Sequence, residues 1–140
     1  MDEQLKHFES KLGCEIDSGD LNSMLVAGER VVVIDTRSPE SYLREHIPVA
    51  ANIPYRTMNA QTTLHLKRTD LIVTYCDGIG CNASTKGALN MAKLGFQVKE
   101  LIGGIEYWKK EGHPTSKSIE SESVAYGRAE SGSRIDGIDF

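Results

Sequence analysis

LIVTYCDGIGCNASTK, residues 71–86, decides how the rest of the chain is read. Leu71, Ile72, Val73 and Tyr75 make an apolar, partly β-branched run of strand length. Cys76 ends the run. Gly78 and Gly80 let the backbone turn tightly and aim N–H groups inward. Asn82 or Ser84 offers a cap for a helix that continues through Leu89, Met91 and Leu94. This order places Cys76 at the carboxyl edge of a strand, facing the positive end of a helix, where an anion or a thiolate is stabilised. The loop has no proline. Asp77, Gly78, Ile79, Gly80, Cys81 and Asn82 can each turn a backbone N–H toward a point above the sulfur, and they are the expected substrate-binding residues. The Asp77 side chain opposes a bound anion unless it points to solvent.

Outside this stretch the composition is that of one ordinary domain. The chain has 140 residues, of which 39% are hydrophobic and 26% charged, enough for a real core. A formal net charge of -4 disfavours nucleic acid or an anionic membrane surface as partner. No apolar run approaches the roughly 20 residues of a membrane span. The opening residues MDEQLKHFES lack the apolar core of a signal peptide, so a cytoplasmic location is expected. The three cysteines, Cys14, Cys76 and Cys81, are an odd count and argue against a disulfide framework. Cys76 and Cys81 have no second Cys or His pair at a metal-like distance, and His46, His65 and His113 are scattered, so no metal is expected.

Along the chain, residues 1–13 predict a short amphipathic helix with Leu5, Phe8 and Leu12 on one face, packing on the domain. Residues 14–16 read as a short strand. Asp17 or Ser18 caps a helix whose apolar face is Leu21, Met24 and Leu25, ended by Gly28. Residues 31–34 are a continuous β-branched run, the mark of a central parallel strand. Ser38-Pro39-Glu40 opens another short helix. Pro48 and Pro54 restrict residues 46–54 to short extended pieces and turns. Residues 57–66 read as a weak helix or a loop. The helix at 83–94 ends at Gly95, residues 96–102 form a strand, and residues 105–111 form a last short helix carrying Trp108. The main domain covers 14–115. Residues 116–140, rich in Ser, Gly and Glu, predict either a flexible tail or, through Ile135, Ile138 and Phe140, a short docking peptide for a partner or another copy.

Strands and helices alternate from residue 14 to 111, which predicts an α/β fold: a central, mainly parallel sheet with helices on both faces. Sites in such sheets lie beyond the carboxyl ends of the strands, where both Asp35 and Cys76 fall. A thiol reacts as its thiolate, and a helix N-terminus can lower its pKa. Cys76 is therefore the expected nucleophile. Cys81 is inert, lines the pocket, or resolves an adduct on Cys76 as a disulfide. Cys14 is read as structural. His46 reads as a structural hydrogen-bonding residue, Trp108 as core, and Asp35 with Arg37 as an ion pair or backbone anchor supporting the site.

Three patches resemble the rhodanese-like (sulfurtransferase) domain family over about residues 14–114. VVVIDTRSPESYLREHIPVAANIP, residues 31–54, is similar to the family's Asp-x-Arg after a strand, followed by His-Ile-Pro and Asn-Ile-Pro. The strand and cysteine at 71–76 form the second patch. GGIEYWKKEGHP, residues 103–114, resembles the closing Gly-Gly-x-x-x-Trp pattern that ends in Gly-x-Pro. The resemblance implies that Cys76 accepts sulfane sulfur as a persulfide and passes it from a small sulfur donor to a thiol acceptor, without metal or organic cofactor. A non-catalytic binding module of the same family is the alternative, and a cysteine-based phosphatase or arsenate reductase is a third reading. The loop departs from the common Cys-Arg-x-Gly-x-Arg-Ser type: Asp77 replaces the first Arg, Gly80-Cys81-Asn82 stands where the second is expected, and the loop is longer. Without those cations a thiosulfate dianion is a poorer donor than a persulfide or polysulfide, and phosphoryl transfer loses its main electrostatic stabiliser. Val49 stands where the family's turn has Gly.

Overall fold

In the computed structural model, which describes residues 2–117, the strands are β1 (Glu15–Ile16), β2 (Val31–Asp35), β3 (Ala51–Asn52), β4 (Leu71–Tyr75) and β5 (Gln97–Leu101). They form one sheet in the order β1-β5-β4-β2-β3, and every pairing is parallel. The helices are α1 (Asp2–Cys14), α2 (Ser18–Val26), α3 (Pro39–Arg44), α4 (Ala83–Lys93) and α5 (Gly104–Lys110). Sheet and helices form the α/β architecture expected from the alternation.

The two β-branched runs lie side by side at the middle of the sheet, with Val33 opposite Val73 and Ile34 opposite Thr74. Successive side chains on a strand point to opposite faces, so each run fills two cores. Val33, Val73 and Tyr75 join Ile16 and Leu101 on one face, packed with Leu21 from α2 and with Ile105 and Trp108 from α5. Ile34 and Ile72 point to the other face, against Met91 of α4, Phe96 and Ile53. Helices thus cover both faces, and β4, buried on both, ends at Tyr75, directly before Cys76.

Local signals explain most element ends. The Asp17 side chain caps α2 by accepting from the Asp20 N–H at 2.7 Å. Ser38 caps α3, with Pro39 in its first turn. Residues 57–66 are not a helix. A 3-10 turn at Tyr55–Thr57 is followed by turns in which the Asn59 side chain accepts from the N–H groups of Gln61 and Thr62, a local bonding pattern that competes with helix.

Three expectations need correction. First, α1 runs one residue further than 1–13 and buries no side chain; Leu5, Phe8 and Leu12 are 57%, 59% and 80% exposed instead of packed on the domain. Periodicity identifies an amphipathic helix but not what meets its apolar face. Second, Asn82 occupies the N-cap position of α4 without a side-chain cap bond, and Ser84 lies inside the helix. Third, the ordered domain passes residue 115: Ser116 is buried and pairs with His46, each N–H bonded to the other's carbonyl at 2.9 and 2.8 Å. The remainder of the expected tail lies outside the described residues.

Candidate active site

Cys76 follows the last residue of β4 and is only 1% exposed. Its Sγ donates toward the Cys81 carbonyl at 3.3 Å and toward Ser84 Oγ at 3.7 Å. Burial pushes the thiol up from its ordinary value, and the adjoining Cys81 thiol adds to this, against a smaller opposing effect of Ser84. The helix end was expected to lower this pKa. Desolvation of the buried sulfur outweighs it.

The loop around the sulfur is held from α5. The Ile105 N–H donates to the Cys76 carbonyl and the Glu106 N–H to the Asp77 carbonyl, both at 2.9 Å. In a trans peptide the C=O and N–H point opposite ways, so this tie turns the Asp77 and Gly78 N–H groups away from α5. A single turn bond, Cys81 N–H to Gly78 carbonyl at 3.1 Å, closes the loop, so Cys81, expected among the N–H donors to substrate, spends its N–H within the chain. Among the described residues, the N–H groups of Gly78, Ile79, Gly80 and Asn82 have no acceptor within the chain. With α4 uncapped by any side chain, they leave donors for an anion or a charged sulfur.

Two glycines make this packing possible. Gly104 has φ +61, and a Cβ there would stand 2.4 Å from the Cys76 carbonyl oxygen. At Gly78 a Cβ would meet Glu106 Oε1 at 2.5 Å.

The Asp-x-Arg patch braces the loop without supplying it a free cation. Arg37 donates from Nη2 to Asp35 Oδ2 at 2.7 Å and to the Glu45 carbonyl at 2.6 Å, and from Nη1 to Asp77 Oδ1 at 3.1 Å. Burial opposes the Arg37 charge, but the hydrogen bond and attraction of Asp35 outweigh it, so the guanidinium is held charged more firmly than usual. Asp35, fully buried, also accepts from the Tyr75 hydroxyl at 2.7 Å. That hydroxyl in turn accepts from the Ile47 N–H at 3.0 Å. Burial, reinforced by Asp35, raises the Tyr75 phenol well above its ordinary value, so it stays a donor.

The structure therefore brings Cys76, Cys81 and the loop residues together and ties Asp35 and Arg37 to them through Asp77. His46 and Trp108 make their bonds elsewhere. His46 is stacked on Tyr42 at 3.9 Å, with Nδ1 2.7 Å from the Tyr42 carbonyl. Trp108 is buried and donates from Nε1 to the Pro114 carbonyl at 2.7 Å. Cys14 is exposed at the end of α1, and Cys76 and Cys81 are free thiols. Among the described residues no cluster of three His, Cys, Asp or Glu side chains fits a metal, and no helix is long and apolar enough to cross a membrane. Sequence reasoning missed Glu100 on β5, which accepts from Ser84 Oγ and Thr85 Oγ1, each at 2.7 Å. No spacing rule links a strand residue to a helix start across the sheet. Only the parallel pairing of Thr74 with Glu100 brings them together.

Known proteins share this fold. The family model described as "Rhodanese-like domain" matches residues 17–111. A chloroplastic thiosulfate sulfurtransferase 16 of Arabidopsis thaliana is 29% identical over 119 residues, covering 76% of this chain and 96% of its own. The thiosulfate sulfurtransferase GlpE of Coxiella burnetii is 33% identical over 93 residues, covering 66% and 83%. Among solved structures, a Bacillus halodurans protein is 43% identical with a TM-score of 0.79, covering 86% of this chain and 89% of its own. With the matched segment running from the cap of α2 past the end of α5, the chain belongs to the rhodanese-like domain family.

Proposed function

We propose that the protein is a sulfurtransferase that carries sulfane sulfur as a persulfide on Cys76 and hands it to a thiol acceptor. One observation carries this reading: a buried thiol at the end of the central strand, beneath a loop whose Gly78, Ile79, Gly80 and Asn82 N–H groups are free, and beside an uncapped helix start. Those donors would hold the outer sulfur of a persulfide anion and the charge that develops during transfer. The two thiosulfate sulfurtransferases named above support the class of reaction.

The donor is better read as a persulfide or polysulfide than as thiosulfate. Arg37 is committed to Asp35 and Asp77, and the exposed carboxylates of Asp77 and Glu106 border the loop. A dianion would meet those charges without a free guanidinium to offset them. The same lack of a loop arginine counts against phosphoryl transfer. A resolving role for Cys81 toward an oxidised Cys76 is supported by the neighbouring Cys81 thiol, which contributes to the raised pKa of Cys76. No cofactor is required for these steps.

The test is incubation with a polysulfide or with thiosulfate, followed by mass spectrometry. The mass of one sulfur should appear on Cys76, disappear with cyanide, and be absent from Cys76→Ser. Full transfer activity in Cys76→Ser would end the proposal. A non-catalytic binding module is favoured by the burial that raises the thiol, and it predicts no sulfur uptake at any pH.

A further inference from the structure

A buried cysteine with a raised pKa needs another way to lose its proton. The hydrogen bonds around it supply a direction. Cys76 Sγ donates toward Ser84 Oγ at 3.7 Å, and Ser84 Oγ donates to Glu100 Oε2 at 2.7 Å. The other acceptor of the thiol, the Cys81 carbonyl, cannot pass a proton on. Ser84 is only 3% exposed, and Thr85 Oγ1 holds the same carboxylate oxygen at 2.7 Å, so the end of the chain is fixed.

We propose that Ser84 and Glu100 are the proton-accepting arm of the site. Resting on the sulfurtransferase reading above, the step is as follows. The Cys76 S–H bond breaks and its proton goes to Ser84 Oγ, while the original Ser84 proton goes to Glu100 Oε2. The Cys76 electron pair forms an S–S bond to the sulfane sulfur of a persulfide donor. The donor's own S–S bond breaks, and its electron pair leaves on the donor thiolate. Glu100 ends protonated and Ser84 unchanged. Return of the proton along the same path accompanies loss of sulfur to the acceptor.

Few charges compete with Glu100. β1 presents Glu15, its register partner, which is bonded to Lys11 of α1 at 3.0 Å. β4 presents Thr74 and α4 presents Ser84 and Thr85, none of which titrates at neutral pH. The loop adds the thiols of Cys76 and Cys81 and the carboxylate of Asp77, which is paired with Arg37 at 3.1 Å.

Glu100→Gln tests this, because the amide oxygen still accepts from both hydroxyls but does not take a proton. Site-resolved alkylation of Cys76 by iodoacetamide is measured against pH, beside single-turnover sulfur loading from a polysulfide. In the wild-type protein, alkylation should persist below the pH at which the thiol ionises. In Glu100→Gln this neutral-pH component should fall roughly 100-fold, with recovery at high pH. Ser84→Ala should do the same and Ser84→Thr should restore it, which keeps the test open if Glu100→Gln does not fold. An unchanged pH profile in Glu100→Gln, or in Ser84→Ala, overturns the proposal. If the wild-type protein takes up no sulfur, the sulfurtransferase reading fails, while the alkylation profiles still judge the relay.

Discussion

Gly104 stands so close to Cys76 that a Cβ on it would lie 2.4 Å from the Cys76 carbonyl oxygen and 2.8 Å from the Asp77 carbonyl carbon. These are backbone atoms of the loop, and they belong to the two carbonyl groups that α5 holds through the Ile105 and Glu106 N–H groups. Helix and loop can approach this closely only without a side chain at the first position of α5.

Gly104→Ala should therefore destabilise the protein by about 2–4 kcal/mol, combining left-handed backbone strain with overpacking. Gly112 provides the control: its φ is +83, but nothing lies within 4 Å of a Cβ there. Gly112→Ala should cost only about 1–2 kcal/mol. Urea unfolding compares the two, and sulfur loading on Cys76 should drop only in Gly104→Ala. Equal losses of stability would show that the close approach is not the constraint.

The Asp35–Arg37–Tyr75 network predicts a graded series. Asp35→Asn removes the buried counter-charge of Arg37, leaves its guanidinium only the exposed Asp77 carboxylate, and should cost about 3–5 kcal/mol. Tyr75→Phe keeps the ion pair but leaves the Ile47 N–H without an acceptor, at about 1–3 kcal/mol. Denaturant midpoints at unchanged slope measure both. A larger loss in Tyr75→Phe than in Asp35→Asn would contradict this order.

His46 makes stability depend on pH. Burial lowers its pKa below 6.5, against the opposing effects of its bond to the Tyr42 carbonyl and the Asp35 charge. On acidification the unfolded chain takes up this proton first. The contribution of His46 is therefore fully present above about pH 6.5 and is lost as pH falls through the lower, folded value. Unfolding free energy measured downward from pH 7 should decline over this range. His46→Asn, which can still donate to Tyr42, should flatten that decline. An unchanged slope would place the proton uptake elsewhere.

Val49 carries a backbone angle that its side chain resists. Its φ is +66, unlike any other non-glycine among the described residues, and it is 79% exposed, so packing does not compensate for the strain. The left-handed conformation costs roughly 1–2 kcal/mol, and glycine gives back about 0.5–1 kcal/mol through its freer unfolded chain. Val49→Gly should raise stability by a few tenths to about 1 kcal/mol, read as a higher thermal midpoint. A lower midpoint would mean that the valine has a favourable contact that offsets its strain.

Much of the fold was legible because its signals are local. The β-branched runs at Val31–Asp35 and Leu71–Tyr75 announce buried parallel strands, Asp17 and Ser38 announce helix starts, and the loop after Cys76 announces a turn into α4. The limits of the reading lie where a signal needs a partner. Asn59 has helix-like surroundings, yet its side chain bonds to the next residues' N–H groups instead. Leu5, Phe8 and Leu12 share one helix face, but nothing in their spacing says what covers it.

The same division runs through the candidate site. Neighbouring residues alone put a cysteine at the carboxyl end of a central strand, within a glycine-bearing loop that has no arginine. That information is carried by adjacent residues and by the period of the apolar pattern. The environment of the thiol comes from the fold: its burial, the loop carbonyls captured by α5, the commitment of Arg37 to Asp35 and Asp77, and the path from Ser84 to Glu100. Each depends on residues distant in sequence meeting across parallel strands. Desolvation and hydrogen bonding act over a few ångströms of space, and sequence separation does not report that distance.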